Sequence, residues 1–170
     1  MASVLIDSGT TYLKIITIDD NDEIIDRQEA GLSSLEEKVN FISTYLENIS
    51  ACSFKAVDVA ISTEMHGFIL ISNLGEELCD YISWRHECSD EILNEISNRI
   101  EKNDILKSGM PLKTGIASTS LFEYKKHNNV DSAMMLTLGD YYIYKLTGIL
   151  PSLHPTNAAA TGLYDLIADK

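Results

Sequence analysis

Apolar and polar residues alternate in a strand-like rhythm through the first thirty positions. Residues 3–7 and 12–19 are β-type runs rich in Val, Ile and Leu, joined by the turn Ser8-Gly9-Thr10-Thr11. Asp19-Asp20-Asn21-Asp22 forms a second polar turn, and Glu23 to Gln28 reads as a third strand, giving an antiparallel meander. The rhythm then changes. Leu35, Val39, Ile42, Leu46 and Ile49 recur at three- and four-residue steps, which predicts an amphipathic helix. Ser33 with Glu36, or Ser34 with Glu37, offers a capping box at its start. Ala56 to Ile61, apolar except for Asp58, reads as a strand of the buried type. Phe68 to Ile71 and Leu78 to Trp84 flank the turn Asn73-Leu74-Gly75-Glu76 and predict a hairpin.

The second half is more helical. Ser89 is placed to cap a helix with Ile92, Leu93, Ile96 and Ile100 on one face and Asp90 and Glu91 in its first turn. Residues 108–117 are loop-like, and Ser118 to His127 predicts a short helix ending in Lys125, Lys126 and His127. Met134 to Leu138 is a short apolar segment. Asp140 is placed to cap a helix running to Leu146 and stopped at Gly148. The small residues from Asn157 to Thr161 suit close packing against a sheet. A strand meander followed by mixed strands and helices makes the class α/β.

The 170 residues suit one domain or two small subdomains, and 45% hydrophobic with 23% charged residues supports an ordinary core. A net charge of −13 argues against nonspecific binding to nucleic acid or to an anionic membrane. No apolar run reaches the length of a bilayer span, and no secretory signal is expected. Cys52, Cys79 and Cys88 form no zinc-type pair and no CxxC motif, so free thiols in a reducing cytoplasm are expected.

Candidate chemistry begins at the first turn. Backbone N–H groups around Gly9 can approach phosphate oxygens closely, and Thr10 and Thr11 add hydroxyl donors. Asp7 at the strand end is a candidate Mg²⁺ ligand, and Lys14 neutralises phosphate charge if it faces the site. A plain hairpin turn accounts for the same residues. In Glu64-Met65-His66-Gly67, after a buried strand, His66 is able to hydrogen-bond a sugar hydroxyl and Met65 to pack on a sugar's carbon chain. A histidine in a surface turn beside a buried methionine is the alternative. Trp84 and Arg85 suit stacking and forking onto a polar ligand; the alternative is a half-buried Trp with exposed charges from Arg85 to Glu87.

Taken in order, these stretches resemble the FGGY family of carbohydrate kinases in its N-terminal domain. Val4 to Ile18 looks like that family's Asp-x-Gly-Thr-Thr-x-x-x-Lys opening. Ala-Ile-Ser-Thr-Glu-Met-His-Gly at 60–67 is similar to the Gly-Ile-x-x-Gln-Met-His-Gly of xylulokinase-like members. Trp84, Gly109-Met110-Pro111-Leu112, Asp140 to Gly148 and Thr156 to Asp165 look like further landmarks, and the resemblance covers essentially the whole chain. It implies a ribonuclease H-like fold of the actin/hexokinase-like ATPase superfamily, with a mixed sheet and flanking helices. It implies ATP and Mg²⁺ as cofactors and transfer of the γ-phosphoryl group to a ketose or polyol, xylulose-like. On this reading Gly9, Thr10, Thr11 and Lys14 bind phosphate and Asp7 holds the metal. Met65, His66, Gly67, Trp84 and Arg85 contact the sugar.

The chain departs from the pattern where His86 stands for the family's usual Asp, Cys88 for an expected Arg, Ser120 for a common lysine and Ser8 for an apolar residue. The resemblance also makes residues 1–170 a partial N-terminal domain. It puts the general-base aspartate and the C-terminal nucleotide-binding domain beyond Lys170, so no catalytic base is assigned within the chain. Little turnover by the isolated chain, and dimerisation through apolar surface left uncovered, are the corresponding expectations. The alternative is a non-catalytic sugar-sensing or protein-docking module derived from such a kinase.

Overall fold

The computed structural model describes residues 2–51 and 57–168. Cys52 and Ala56, the first residue of the expected fourth strand, lie outside the described residues. The chain divides into two compact units, one of residues 1–64 with 142–149 and the other of residues 65–141 with 150–170.

The first unit is a four-stranded mixed sheet with a helix. The meander β1 (Ala2–Ser8), β2 (Tyr12–Ile18) and β3 (Ile24–Gly31) is antiparallel, and β4 (Val57–Thr63) adds to β1 in parallel, giving the order β3-β2-β1-β4. Alternation sorts the side chains between faces. Val4, Ile6, Ser8, Leu13, Ile15 and Thr17 are buried, while Leu5, Asp7, Tyr12 and Lys14 point to the other face and are exposed. Helix α1 (Leu35–Ala51) contributes Val39, Ile42, Tyr45 and Ile49 to the buried side. The Thr17 and Tyr45 hydroxyls lie 2.6 Å apart, and Tyr45 also donates to the Asp26 carboxylate at 2.8 Å, so the polar groups inside this core are satisfied. Of the two possible capping boxes, Ser34 with Glu37 forms: the Glu37 N–H donates to Ser34 Oγ at 3.1 Å and Ser34 N–H to Glu37 Oε2 at 3.0 Å.

The second unit holds the small sheet of β5 (Ile69–Ile71) with β6 (Met134–Leu136), antiparallel, and helices α2 (Asp90–Arg99), α3 (Lys102–Ser108), α4 (Ala117–His127) and α6 (Pro155–Ala160). Phe68, Leu70 and Ala117 centre one core cluster, and Cys88, Ile92 and Ile96 a second. Helix α5 (Leu138–Thr147) begins in this unit and ends in the first.

Several expectations change. Leu78 to Trp84 is not a regular strand. It still returns antiparallel along the edge of β5 opposite β6, but irregularly: through the bridges Phe68–Ile82 and Ile71–Glu77 and the Leu78 N–H donating to the Leu70 carbonyl at 2.8 Å. Asp140 is not the N-cap of α5. Its N–H donates to Thr137 Oγ1 at 3.3 Å, while the Thr137 hydroxyl donates back to the Asp140 carboxylate, so Thr137 caps and Asp140 sits in the first turn. The small residues near 157 form helix α6 with His154 as N-cap and Pro155 at its first position. Ser89 caps α2 as expected, accepting from Ile92 N–H at 3.3 Å, and Gly148 ends α5 at φ 70°.

Candidate functional site

In the first unit the ends of the parallel pair β1 and β4 carry the candidate residues. Asp7 lies opposite Ser62 and Ser8 opposite Thr63, so Asp7 and Glu64 leave neighbouring strands at the same end of the sheet. Carboxyl ends of parallel strands are the usual place for ligands in open α/β sheets. The Gly9-Thr10-Thr11-Tyr12 turn is closed by Gly9 N–H donating to the Tyr12 carbonyl at 3.0 Å. That amide is therefore engaged within the turn, and the exposed Thr10 and Thr11 form its apex. The turn is tight at Gly9: a Cβ there would sit 3.3 Å from the Tyr12 carbonyl oxygen, so a larger residue needs the turn to give slightly.

Two residues given no role by the sequence reading build this turn. Lys38, on α1, is buried, and its Nζ donates to the Gly9 carbonyl at 2.8 Å and the Thr10 carbonyl at 3.3 Å. Burial pushes the Lys38 pKa down, and the Glu64 carboxylate pulls it partly back. Glu64 accepts the Thr10 hydroxyl at 3.0 Å, which ties the turn to the end of β4. The lysine predicted for phosphate, Lys14, is exposed and pairs in register with Asp7, so both side chains project from the same sheet face. The helix spacing made Lys38 readable in hindsight: it is the residue before Val39 and falls on the buried side of α1. Ser8, at a position expected to be apolar, is buried with its Oγ 2.7 Å from the Tyr142 hydroxyl.

The sugar candidates lie in the second unit. His66 adopts φ 68°, a left-handed conformation costly for a residue with a Cβ. Its Nδ1 lies 2.6 Å from the Ala160 carbonyl oxygen, which can only accept. Nδ1 therefore carries the proton, and in the neutral ring Nε2 is left as an acceptor. Met65 is exposed, at 59% of its surface. Gly67 is buried against Tyr81, whose Oη would lie 2.1 Å from a Cβ at that position. Trp84 is 46% exposed, and the Arg85 guanidinium sits over its ring at 5.4 Å from the centroid. The loop carrying them is held by Gly115, at φ 78°, where a Cβ would come within 2.3 Å of the Trp84 carbonyl oxygen. Asp7, Gly9, Thr10 and Thr11 are thus gathered at one turn of the first unit, and Met65 to Gly67 and Trp84 to Arg85 in two loops of the second.

A mixed sheet in this order, with flanking helices, is the N-terminal fold of the actin/hexokinase-like ATPases. Within that class the chain resembles the N-terminal portion of the FGGY carbohydrate kinases. A rhamnulokinase from Ligilactobacillus salivarius is 29% identical over 127 residues, which are 71% of this chain and 25% of that protein. The gluconate kinase of Lactobacillus acidophilus superposes with a TM-score of 0.82 at 23% identity, over 97% of this chain and 37% of that one. The xylulose kinase of the same organism gives 0.81 at 22% identity, over 99% and 38%. The chain thus spans about a quarter of its curated relative and less than two fifths of these solved kinases. No protein-family model matches the chain. Among the described residues no helix is long and apolar enough to cross a membrane.

Proposed function

We propose that the chain supplies the phosphate side and part of the sugar site of an ATP-dependent kinase acting on a ketose or polyol, xylulose-like. The observation that carries this is the turn at the shared end of β1 and β4, pinned by Lys38 and bracketed by the Asp7 and Glu64 carboxylates. Carboxylate and hydroxyl oxygens are the donors Mg²⁺ prefers, so the residues present suit that ion. Asp7 would hold it, with Glu64 close to the same strand ends. When bound, Mg·ATP supplies the phosphoryl group and neutralises charge on it. The chain's own contribution is positioning, which is most of what phosphoryl transfer needs. Thr10 and Thr11 offer amides and Thr11 its hydroxyl at the apex, the Thr10 hydroxyl being engaged by Glu64, and Lys38 keeps positive charge beneath the turn. Lys14 reaches phosphate only across the exposed face it shares with Asp7.

In the second unit, His66 offers Nε2 to a sugar hydroxyl while the Ala160 carbonyl fixes its tautomer. Exposed Met65 and the Trp84–Arg85 pair supply apolar and stacking surface for the carbon chain. Gly67 serves by making room for Tyr81. A conformation as costly as that of His66 is retained where a site requires it.

Calorimetric titration of the chain with xylulose, rhamnulose, glycerol and gluconate tests the reading. Binding of at least one, weakened at least tenfold by His66→Asn, is expected. Asn tolerates the left-handed backbone, so the loss reports the ring and not the turn. Heat from none of the four would count against a sugar site. Sugar-dependent ADP release by this chain alone is expected to be negligible.

A further inference from the structure

A cluster of metal-ligating side chains lies in the second unit, between the loop after Trp84 and helix α4. The His86 Nε2, the Cys88 Sγ and a Glu123 carboxylate oxygen all lie within 4.8 Å of one another. His86 Nε2 and Glu123 Oε2 are 2.7 Å apart. We propose that His86, Cys88 and Glu123 form a site for a divalent transition-metal ion of the zinc class, with three protein ligands and an open fourth position.

The donor set selects the ion. A thiolate and an imidazole with one carboxylate suit zinc and its neighbours and disfavour Mg²⁺ and Ca²⁺, which take oxygen. Bonds of about 2.0–2.3 Å in a tetrahedron hold donors about 3.5 Å apart. The His86–Glu123 pair, 2.7 Å apart, must open by under about 1 Å to reach that spacing, and the most distant donor pair must close by up to about 1.3 Å. The His86 side chain is 42% exposed and that of Glu123 22%, so the adjustment falls first to His86.

The segment is also built to hold those donors. Thr114 Oγ1 donates to the His86 carbonyl at 3.0 Å and accepts the Cys88 N–H at 2.8 Å, which clamps the His-x-Cys stretch from both ends. His86 N–H is bound by the Ser83 carbonyl at 3.0 Å. The Cys88 Sγ lies 3.9 Å from Ser120 Oγ on α4, which supplies a hydrogen-bonding neighbour for a ligating sulfur. Cys88 is buried and His86 exposed, so an ion enters from the solvent side and meets the thiol at the bottom. Uptake breaks the S–H bond, passes its proton to solvent and forms the metal–sulfur bond; it needs no oxidant. The bound ion would staple the 86–88 loop to α4.

Cobalt(II) titration of the reduced chain reads this directly, because only a thiolate ligand produces a sulfur-to-cobalt charge-transfer band. One equivalent per chain is expected, displaced by zinc. His86→Ala and Glu123→Gln are surface changes that leave the fold intact by circular dichroism. Each should weaken cobalt binding by more than about 100-fold, beyond the usual loss from an outer-sphere partner. Cys88→Ser should abolish the band, whereas Cys79→Ser and Cys52→Ser should keep it. Absence of the band, its survival in Cys88→Ser, or unchanged affinity in both His86→Ala and Glu123→Gln overturns the proposal. The three side chains would then be a hydrogen-bonded network only.

Discussion

Replacing Lys38 with methionine removes the ammonium that holds the first turn and keeps most of the stem that packs against the sheet. The wild-type group makes a short hydrogen bond to the Gly9 carbonyl at 2.8 Å and a longer one to Thr10 at 3.3 Å. Charged donors in such bonds contribute about 1.5–3 kcal/mol each, and the longer bond falls below that range. Two terms reduce the sum. Lys38 is buried and its pKa is pushed down by that burial, so part of the hydrogen-bond energy offsets desolvation. The Gly9 and Thr10 carbonyls also sit in a partly open turn, where water replaces the ammonium. The net loss is therefore about 1–2 kcal/mol. Urea unfolding of wild type and Lys38→Met, followed by circular dichroism and by tyrosine fluorescence, measures it; an unchanged m-value would show that the midpoint shift is a true stability change. Lys38→Arg separates charge from fit and should recover only part of the loss, because the guanidinium is broader. Equal or greater stability of Lys38→Met would refute the view that this lysine builds the turn.

Ser8→Ala removes a buried hydrogen bond to Tyr142 and should cost about 1 kcal/mol in the same unfolding assay. Gly67→Ala forces Tyr81 out of its place and should destabilise by about 1–3 kcal/mol, with a visible change in the near-ultraviolet dichroism. The Glu37 carboxyl is held below its ordinary range, chiefly by the Ser34 N–H and then by the Ser33 hydroxyl. A carboxylate depressed in the folded state contributes stability that is complete above its unfolded pKa and is lost as the pH falls through the folded one. Wild type should therefore lose more stability than Glu37→Gln between about pH 5 and pH 3, and parallel curves would remove the Ser34–Glu37 box from the account.

The meander, α1 and α2 were legible because their signals are local: period-two alternation, a 3.6-residue stripe, and a serine before an acidic first turn. The return from Leu78 to Trp84 lies beside β5 where sequence proximity put it, but as isolated bridges and not as a regular strand. The other neighbour of β5, Met134–Leu136, is more than sixty residues on and gave no local signal. Helix α3 went unseen because it is a seven-residue element with no buried residue and no capping side chain. At the first turn, Asp7, Gly9, Thr10 and Thr11 were found by composition and resemblance. The structure adds why they hold together, through Lys38 and Glu64, whose roles depend on α1 and β4 reaching the same strand end. Cys88 was set aside because cysteine spacing was compared only with other cysteines. A His-x-Cys stretch was present in the sequence, but its third ligand lies on a helix thirty-five residues later, where no spacing rule reaches it.

The turn from Asp7 to Thr11 is proposed to receive a magnesium-bound phosphate. Amide chemical shifts of the labelled chain, recorded while Mg²⁺-pyrophosphate is added, test it most directly. Perturbations concentrated at Asp7, Thr10, Thr11 and Glu64 are expected, needing magnesium and pyrophosphate together and lost in Asp7→Asn. Perturbations centred on other residues, or unchanged in Asp7→Asn, would contradict it.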